Sequence, residues 1–494
     1  MPAAFAYDEI PYECLPIPQS HPDRLAVLGR LYGLEPAALD RCRVLELGCG
    51  NGANLIPMAA TMPRGRFVGV DLARTSVAQA QQTCRALALG NITFHQTDIR
   101  ELDFGQGEFD YIIAHGVYSW VPAEVRERLM AVAGRHLAPN GLAYISYNTY
   151  PGCHLRRIVR DMMLYHTSEL GEPDLKIAEA RALVDFLASA EPRTAALKDE
   201  LRELQSRSVP AVFHDDLSEV NEPVYFHQFA AHARAHGLQF LAEAEFASMQ
   251  DGAFRPEVAD TLRALAQGDV VRKQQYIDFI KCRRFRQTIL CRDSFALPPE
   301  PLPAAIERLW AASAAVPGSA VPEVSSDAEE SFAAPGGASI KTTLPLAKAA
   351  MAILAKSWPA AVPFAGLLEE SVRLAGGRAA DGAPALLRDL LLRTFSTGLI
   401  ELHAGALPLT TEVSERPRAF SLARLEAGAG PLVTTLRHIT VAIEDRLALR
   451  LITLLDGSRD RAALTGALGA PGEIRLEDLE RNLAKLARVA LLEG

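Results

Sequence analysis

Short apolar runs alternate with amphipathic stretches through the first 150 positions of the chain. Residues 1–40 form a polar lead-in containing Pro and Tyr, followed by a short helix. Arg43–Leu47 then reads as a strand, Gly48–Gly52 as a tight Gly-rich turn and Ala53–Thr61 as a helix. The rhythm repeats, with strands expected over 67–70 (running into Asp71), 92–95, 109–114 and 141–147, and helices over 75–89 and 123–137. Apolar strands separated by helices make βαβ units, and right-handed crossovers place helices on both faces of a parallel sheet. From Cys153 to about Arg207 the pattern turns helical and rich in Ala, Leu, Arg and Glu, as an inserted cap would be. A helix over 224–236, a strand over 238–246, a helix over 271–280 and a strand over 287–291 follow, and the two strands are expected to close the sheet as a terminal pair.

This divides the chain into an α/β unit over 1–295 with a helical insert at about 153–222, a linker over 296–340 rich in Pro, Ala and Ser, and a mainly helical, winged-helix-like region over 341–494. The last region has a weak internal repeat, each half being helices that end in a short apolar stretch such as Gly398–Leu402 or Ala490–Glu493. At 494 residues the chain exceeds what one core supports. A formal net charge of −9 argues against gripping nucleic-acid backbone, which needs excess Lys and Arg. The seven cysteines show no CxxC spacing, so neither a metal site nor a disulfide framework is expected, and reduced thiols fit a cytoplasmic location. Met1–Pro18 has no signal-peptide pattern, and no apolar run is long enough to span a bilayer.

The chemistry centres on Val44-Leu-Glu-Leu-Gly-Cys-Gly-Asn-Gly52. Glu46, Gly48, Gly50 and Gly52 fall at every second position, where a strand ends and the backbone must come close to a ligand. Several nucleotide-binding folds share a Gly-rich turn, so the context decides. Asp71 lies nineteen residues beyond Gly52 at the next strand tip, where a carboxylate can accept from both hydroxyls of a ribose. Asp98 and Ile99 follow the third strand and suit an adenine amino group and ring face. Glu46 would repel a phosphate but suits a cationic ligand, and a GxxxxGK[ST] loop is missing.

The set Glu46-Leu-Gly-Cys-Gly-Asn-Gly52, Val68-Gly-Val-Asp71, Thr97-Asp-Ile99 and Phe109-Asp-Tyr-Ile-Ile-Ala-His-Gly116 resembles the class I S-adenosylmethionine-dependent methyltransferases. Tyr7–Tyr12, Gln19–Pro22, His115–Pro122, Tyr147–Gly152 and Phe213–Asp216 more narrowly resemble bacterial methyltransferases with a methyltransferase regulatory domain, among them rickettsial-type protein lysine methyltransferases. The resemblance implies a Rossmann-like seven-stranded methyltransferase sheet, S-adenosylmethionine as cofactor with S-adenosylhomocysteine as product, no metal, and a lysine side chain of a protein as acceptor. Dimerisation is compatible with it. The cofactor-binding set it implies is Tyr7, Tyr12, His21, Glu46, Gly48, Cys49, Gly50, Asn51, Asp71, Leu72, Asp98, Ile99 and His115. Tyr7 and Tyr12 belong there as an N-terminal lid over the cofactor.

His115-Gly-Val-Tyr118 stands where many base-modifying enzymes have an Asn-Pro-Pro-Tyr-like tetrapeptide, which disfavours that chemistry. The expected catalytic wall is Tyr118, Trp120, Tyr147, Asn148 and Tyr150. A lysine must lose its proton before attack; hydroxyls and carbonyls can orient it, and transfer itself needs alignment. Each of these residues also has a plainer reading, as a loop histidine or as packing for the fold. Asp215-Asp216 beside His214 reads as a loop or helix cap rather than a metal site, and Lys281–Arg286 as a solvated basic face. Two other functions stay open: a small-molecule or natural-product methyltransferase with a closed pocket, and a catalytically degenerate interaction module.

Overall fold

The computed structural model describes residues 10, 12, 14–104, 108–190, 194–252, 254–376, 382–469 and 475–494. Seven strands make the central sheet: β1 (Arg43–Leu47), β2 (Arg66–Asp71), β3 (Ile92–Gln96), β4 (Phe109–Ala114), β5 (Leu137–Asn148), β6 (Leu238–Glu243) and β7 (Phe285–Arg292). Their order is β3-β2-β1-β4-β5-β7-β6. The first five are parallel, while β7 runs antiparallel to both β5 and β6, so the terminal pair closes the sheet as the sequence suggests. This is the Rossmann-like methyltransferase architecture.

Successive strand residues point to opposite faces, and the core divides accordingly. Val44, Tyr111, Ile113 and Tyr144 join one cluster with Leu25 and Leu28 of the helix Pro22–Leu31. Leu45, Leu47, Ile112, Ile145 and Tyr147 join the other, with Leu129 of the helix Ala123–His136 and Phe229 of the helix Phe226–Ala235. The first cluster runs on without a break into Met351, Leu391, Leu451 and Leu483 of the C-terminal region. The insert is helical, and helices Cys153–His166, Pro173–Ser189 and Ala195–Gln205 pack a small core of their own around Val159, Met163, Val184 and Leu201. A single π-helical turn, Val212–Asp216, leads the chain back to the sheet.

Two expectations need revision. Residues 296–340, read as a linker, are folded: Trp310–Ala312 is the middle strand of a three-stranded sheet with Val362–Pro363 and Glu401–His403, and Glu330–Ala333 pairs with Ser339–Thr342. Ile306, Leu309, Ala311 and Phe332 are buried there, but Ala, Ser and Pro around them give too weak an alternation to read. The basic stretch Lys281–Arg286 is a solvated face only in part: Lys281 and Cys282 are exposed, but Arg283 and Arg286 turn inward. Arg286 is buried against the Phe226 ring, 3.8 Å from its centre, and paired with Asp278 (2.8 Å) and Glu243. Arg283 also reaches Asp278, at 2.9 Å.

The C-terminal region continues with a hairpin, Leu432–Thr434 with Thr440–Ala442, and helices Arg446–Leu454, Arg461–Leu468 and Leu476–Arg488. Ala490–Glu493 contributes only an isolated bridge between Ala419 and Leu492. A buried ion pair joins this region to the helix Pro22–Leu31. His403 Nδ1 stands 2.6 Å from Asp23 Oδ2, while Asp23 Oδ1 accepts from the Ala404 amide at 2.6 Å. Burial pushes the His403 imidazolium down, yet Asp23 and Glu401 outweigh it and raise it to about 9. A histidine raised above its ordinary value of 6.5 contributes stability that is complete below that value and is lost as pH rises through about 9. Thermal melts across that window are expected to show this alkaline loss. Asp23→Asn is expected to remove it and to cost about 3–5 kcal/mol, because it leaves a buried partner uncompensated.

Candidate active site

β1 ends in a turn that only glycine can follow easily. Gly48, Gly50 and Gly52 all have positive φ, at 74°, 52° and 77°. A Cβ on Gly50 would also lie 2.7 Å from Cys14 Sγ of the N-terminal segment. The turn is tied to β2 by the amides of Gly48 and Cys49, which donate to the Val70 carbonyl at 2.8 and 3.0 Å. The Gly50 and Ala73 amides donate to the two oxygens of Asp71, at 2.7 and 2.8 Å. Asp71 is thereby fixed at the carboxyl edge of the sheet, where open α/β sheets bind ligands.

A cavity of about 320 Å³ opens at this edge. Glu46, Gly48, Cys49, Gly50, Asp71, Ala73 and Ser76 form its floor and one wall. His115, Gly116 and Trp120, after β4, form another. Tyr12, Cys14, Leu15 and Ile17 of the N-terminal segment and Asp215 of the π-helical turn close over it. Among the described residues no Lys or Arg lines the cavity, whereas Glu46, Asp71 and Asp215 do. It is built for a cation.

Glu46 is buried, and Asn54 Nδ2 donates to its Oε1 at 2.7 Å. Among the described residues its Oε2 meets no hydrogen-bond partner. Burial, with Asp71 nearby, pushes the Glu46 carboxyl up to about 8. A buried, unpartnered carboxylate oxygen at the foot of the cavity fits the ammonium of an amino-acid ligand. His115 is held below its usual range, at about 4, by burial, and its Nδ1 lies 2.9 Å from the Tyr144 hydroxyl. Gln287 donates to that same hydroxyl oxygen at 2.9 Å, which leaves the Tyr144 proton for His115. Burial likewise raises the Asp215 carboxyl, with Arg156 and Arg207 opposing the effect. Tyr12 sits edge-on to the His214 ring at 5.6 Å, and His214 Nε2 lies 2.6 Å from the Ile10 carbonyl, so the π-helical turn holds the N-terminal segment in place.

Of the residues expected from the sequence, Tyr12, Glu46, Gly48, Cys49, Gly50, Asp71, His115 and Trp120 meet at this cavity. Tyr7 lies outside the described residues. Asn51 turns its side-chain oxygen to the Ala53 amide at 3.2 Å, and Leu72 points to solvent. Asp98 is held by Arg100 at 2.7 Å and caps the short turn Ile99–Glu101, so neither Asp98 nor Ile99 lines the cavity. His21 lies behind it, capping the helix Pro22–Leu31 and packing on His438 at 5.0 Å. The expected catalytic wall largely disperses. Tyr147 falls on the same strand face as Ile145 and stacks on Phe229 at 4.0 Å, and Tyr118 packs on both rings in that core. Asn148 donates to Asn221 Oδ1 at 3.2 Å, and Tyr150 stacks on His154 at 4.0 Å. Sequence reasoning missed Asn54, Ser76 and Cys14. It also took Asp215 for a loop or cap; the Phe213-His-Asp-Asp216 segment was its only signal, because a π-turn leaves no periodicity to read.

Three family models match the chain: a methyltransferase domain at 44–141, a predicted methyltransferase regulatory domain at 209–292, and the C-terminal winged helix domain of PKMT at 415–486. An uncharacterized protein of Rickettsia prowazekii is 43% identical over 296 residues, 59% of this chain and 53% of that relative. The chain thus spans about half the length of that relative. A second uncharacterized protein of the same organism is 34% identical over 241 residues, 48% of this chain and 96% of the relative. The structure of PKMT2 from Rickettsia typhi in complex with AdoHcy is similar over 98% of this chain and all of that one, at 26% identity and a TM-score of 0.86. The sheet, its glycine turn and these matches define an S-adenosylmethionine-dependent methyltransferase. The chain belongs to the methyltransferases that combine this domain with a methyltransferase regulatory domain and a PKMT-type winged helix.

Because the Glu46 carboxyl is protonated below about 8, a cationic ligand must displace its proton. S-adenosylhomocysteine affinity, followed calorimetrically, is expected to rise with pH up to that value, by at most about tenfold per unit for one proton. Glu46→Gln is expected to flatten the profile. Gly50→Ala is expected to abolish binding, since its Cβ would meet Cys14 and its φ is left-handed.

Proposed function

We propose that the protein N-methylates lysine side chains of a protein substrate. One observation carries this reading: the likeness to PKMT2 runs along almost the whole chain, through the cap and the C-terminal region as well as the cofactor-binding sheet. In this reading residues 1–295 are the catalytic unit. The cap at about 153–222 and the region 341–494, joined through 296–340, hold the polypeptide beside the cavity. The free cysteines fit an enzyme working in a reducing bacterial cytoplasm, and no helix among the described residues is long and apolar enough to cross a membrane.

The residues present suit this chemistry. S-adenosylmethionine, when bound, supplies an activated methyl group on a sulfonium centre. Glu46 and Asp71, which line the cavity, would hold the ammonium and the ribose hydroxyls. Trp120 and Tyr12 line the cavity, and an aromatic ring there can attract a cationic side chain. Asp215 can accept a hydrogen bond from the incoming ammonium. The poorly solvated wall around His115 and Trp120 favours the neutral amine, which alone is nucleophilic. No other acid–base step is required, so alignment of the amine is the main task of these residues.

Incubation with methyl-labelled cofactor and purified candidate protein substrates, read by peptide mass spectrometry, is expected to place the label on lysine. Label found only on small molecules or other side chains would refute the reading. Trp120→Ala is expected to bind S-adenosylhomocysteine nearly normally but to methylate roughly 100-fold more slowly, as a misaligned acceptor does.

A further inference from the structure

The helix Ala123–His136 and the helix Phe226–Ala235 lie against the same face of the sheet, away from the cofactor cavity. Glu127 of the first faces His232 of the second and His236 at its C-terminal end. His232 Nε2 is 3.0 Å from Glu127 Oε2, and His236 Nε2 is 2.9 Å from Glu127 Oε1. Two histidines four residues apart on one helix face, with a carboxylate opposite, are the donor set of a zinc site that keeps an open position. We propose that Glu127, His232 and His236 bind a divalent transition-metal ion, zinc by preference, with water as the fourth ligand.

Three features carry this beyond an ordinary surface ion pair. The first is spacing. Around tetrahedral zinc, nitrogen and oxygen donors stand about 3.4 Å apart. The two histidine–carboxylate pairs stand at 3.0 and 2.9 Å and all three donor atoms lie within 4.8 Å of one another, so an ion needs the carboxylate pairs to part by a few tenths of an ångström and the two ring nitrogens to close by little more than an ångström at most. The second is rigidity. A Cβ on Gly134, on the Glu127 helix, would lie 2.3 Å from the His236 carbonyl oxygen, so the backbones touch there and fix His236 relative to Glu127.

The third is the far side of His232. Its Nδ1 lies 2.8 Å from the hydroxyl of Tyr118, whose ring is locked between Phe229 and Tyr147. A histidine bound through Nε2 must carry its proton on Nδ1 and needs an acceptor there. A tyrosine hydroxyl can both donate and accept. It therefore serves the ion-paired tautomer and the metal-bound one without moving. Arg126, the nearest cation over the Tyr118 ring, is paired with Glu222. The Glu127 carboxylate is 63% exposed, so an ion and its water can arrive from solvent. Tyr118 belongs to the chain segment that also supplies His115 and Trp120, so an ion here would brace that wall of the active site from behind.

The test uses the full-length protein, stripped with a chelator that is then removed. Cobalt(II) titration is expected to give a visible absorption band that saturates at one equivalent and is displaced by zinc. Zinc is also expected to raise the melting temperature. Glu127→Gln, exposed enough to fold normally, and His236→Ala are expected to lose both effects, while His227→Ala retains them. Tyr118→Phe is expected to weaken zinc binding roughly 10- to 100-fold, as loss of a partner to a ligating histidine does. No band in the wild type, or a band undiminished in His236→Ala, would overturn the proposal. So would a lower melting temperature in Glu127→Gln with no metal effect in the wild type, since that is the signature of the ion pair alone.

Discussion

The Asn54 side chain ties together three stretches that are remote in sequence. Its Nδ2 donates to Glu46 on β1 and to the Ser20 hydroxyl, at 2.7 and 3.0 Å. Its Oδ1 accepts from the Ile17 amide at 2.9 Å and faces His438 Nε2 at 2.8 Å. Every one of these contacts is buried or nearly so, and a buried amide left without partners costs free energy. The floor of the cofactor cavity, the N-terminal segment that covers it and the winged-helix region are thus oriented by one amide. His438 must donate for this arrangement to hold; burial, with His21 beside it, keeps its ring neutral, so Nε2 carries the single proton.

The cavity that results follows from two kinds of constraint. Backbone geometry sets its position: left-handed glycines let the chain leave β1 and turn tightly enough for Gly50 to reach Asp71. Burial sets its electrostatics. Glu46 and Asp215 both hold their protons more tightly than free carboxyls do; Arg156 and Arg207 partly relieve Asp215, but no Lys or Arg among the described residues lies in the lining to relieve Glu46. A cation entering the cavity supplies that missing counter-charge.

The sheet was legible because its strands are short apolar runs, buried on both faces, that end in turn residues with a mechanical reason to be there. Glu46, Gly48, Gly50 and Asp71 could be placed for the same reason. The failures have a physical cause too. Tyr118 and Tyr147 were aromatic residues near strand ends, but one position's shift along a strand turns a side chain from cavity to core, and sequence does not give register that finely. Asn54 and His438 meet across 384 positions, a contact that no local pattern encodes. Asp98 and His21 have the right polarity but spend it on neighbours, a clasping Arg100 and a helix cap. The folded stretch after 296 was hidden by small residues, whose burial leaves almost no hydrophobic signature.

The Asp23–His403 pair changes what a domain boundary means here. The sequence divides into a catalytic part and a C-terminal part, and family models divide it in the same spirit. Yet half of a buried charge pair sits on each side, and the apolar cluster runs through the seam. A chimaera that exchanged the C-terminal region for that of a relative would have to bring equivalents of His403 and His438 to meet Asp23 and Asn54. Without them it would bury an unmatched carboxylate beside a misoriented amide. The C-terminal third of this chain is therefore not an interchangeable module: the boundary that the sequence suggests cuts through a shared core and a shared charge pair.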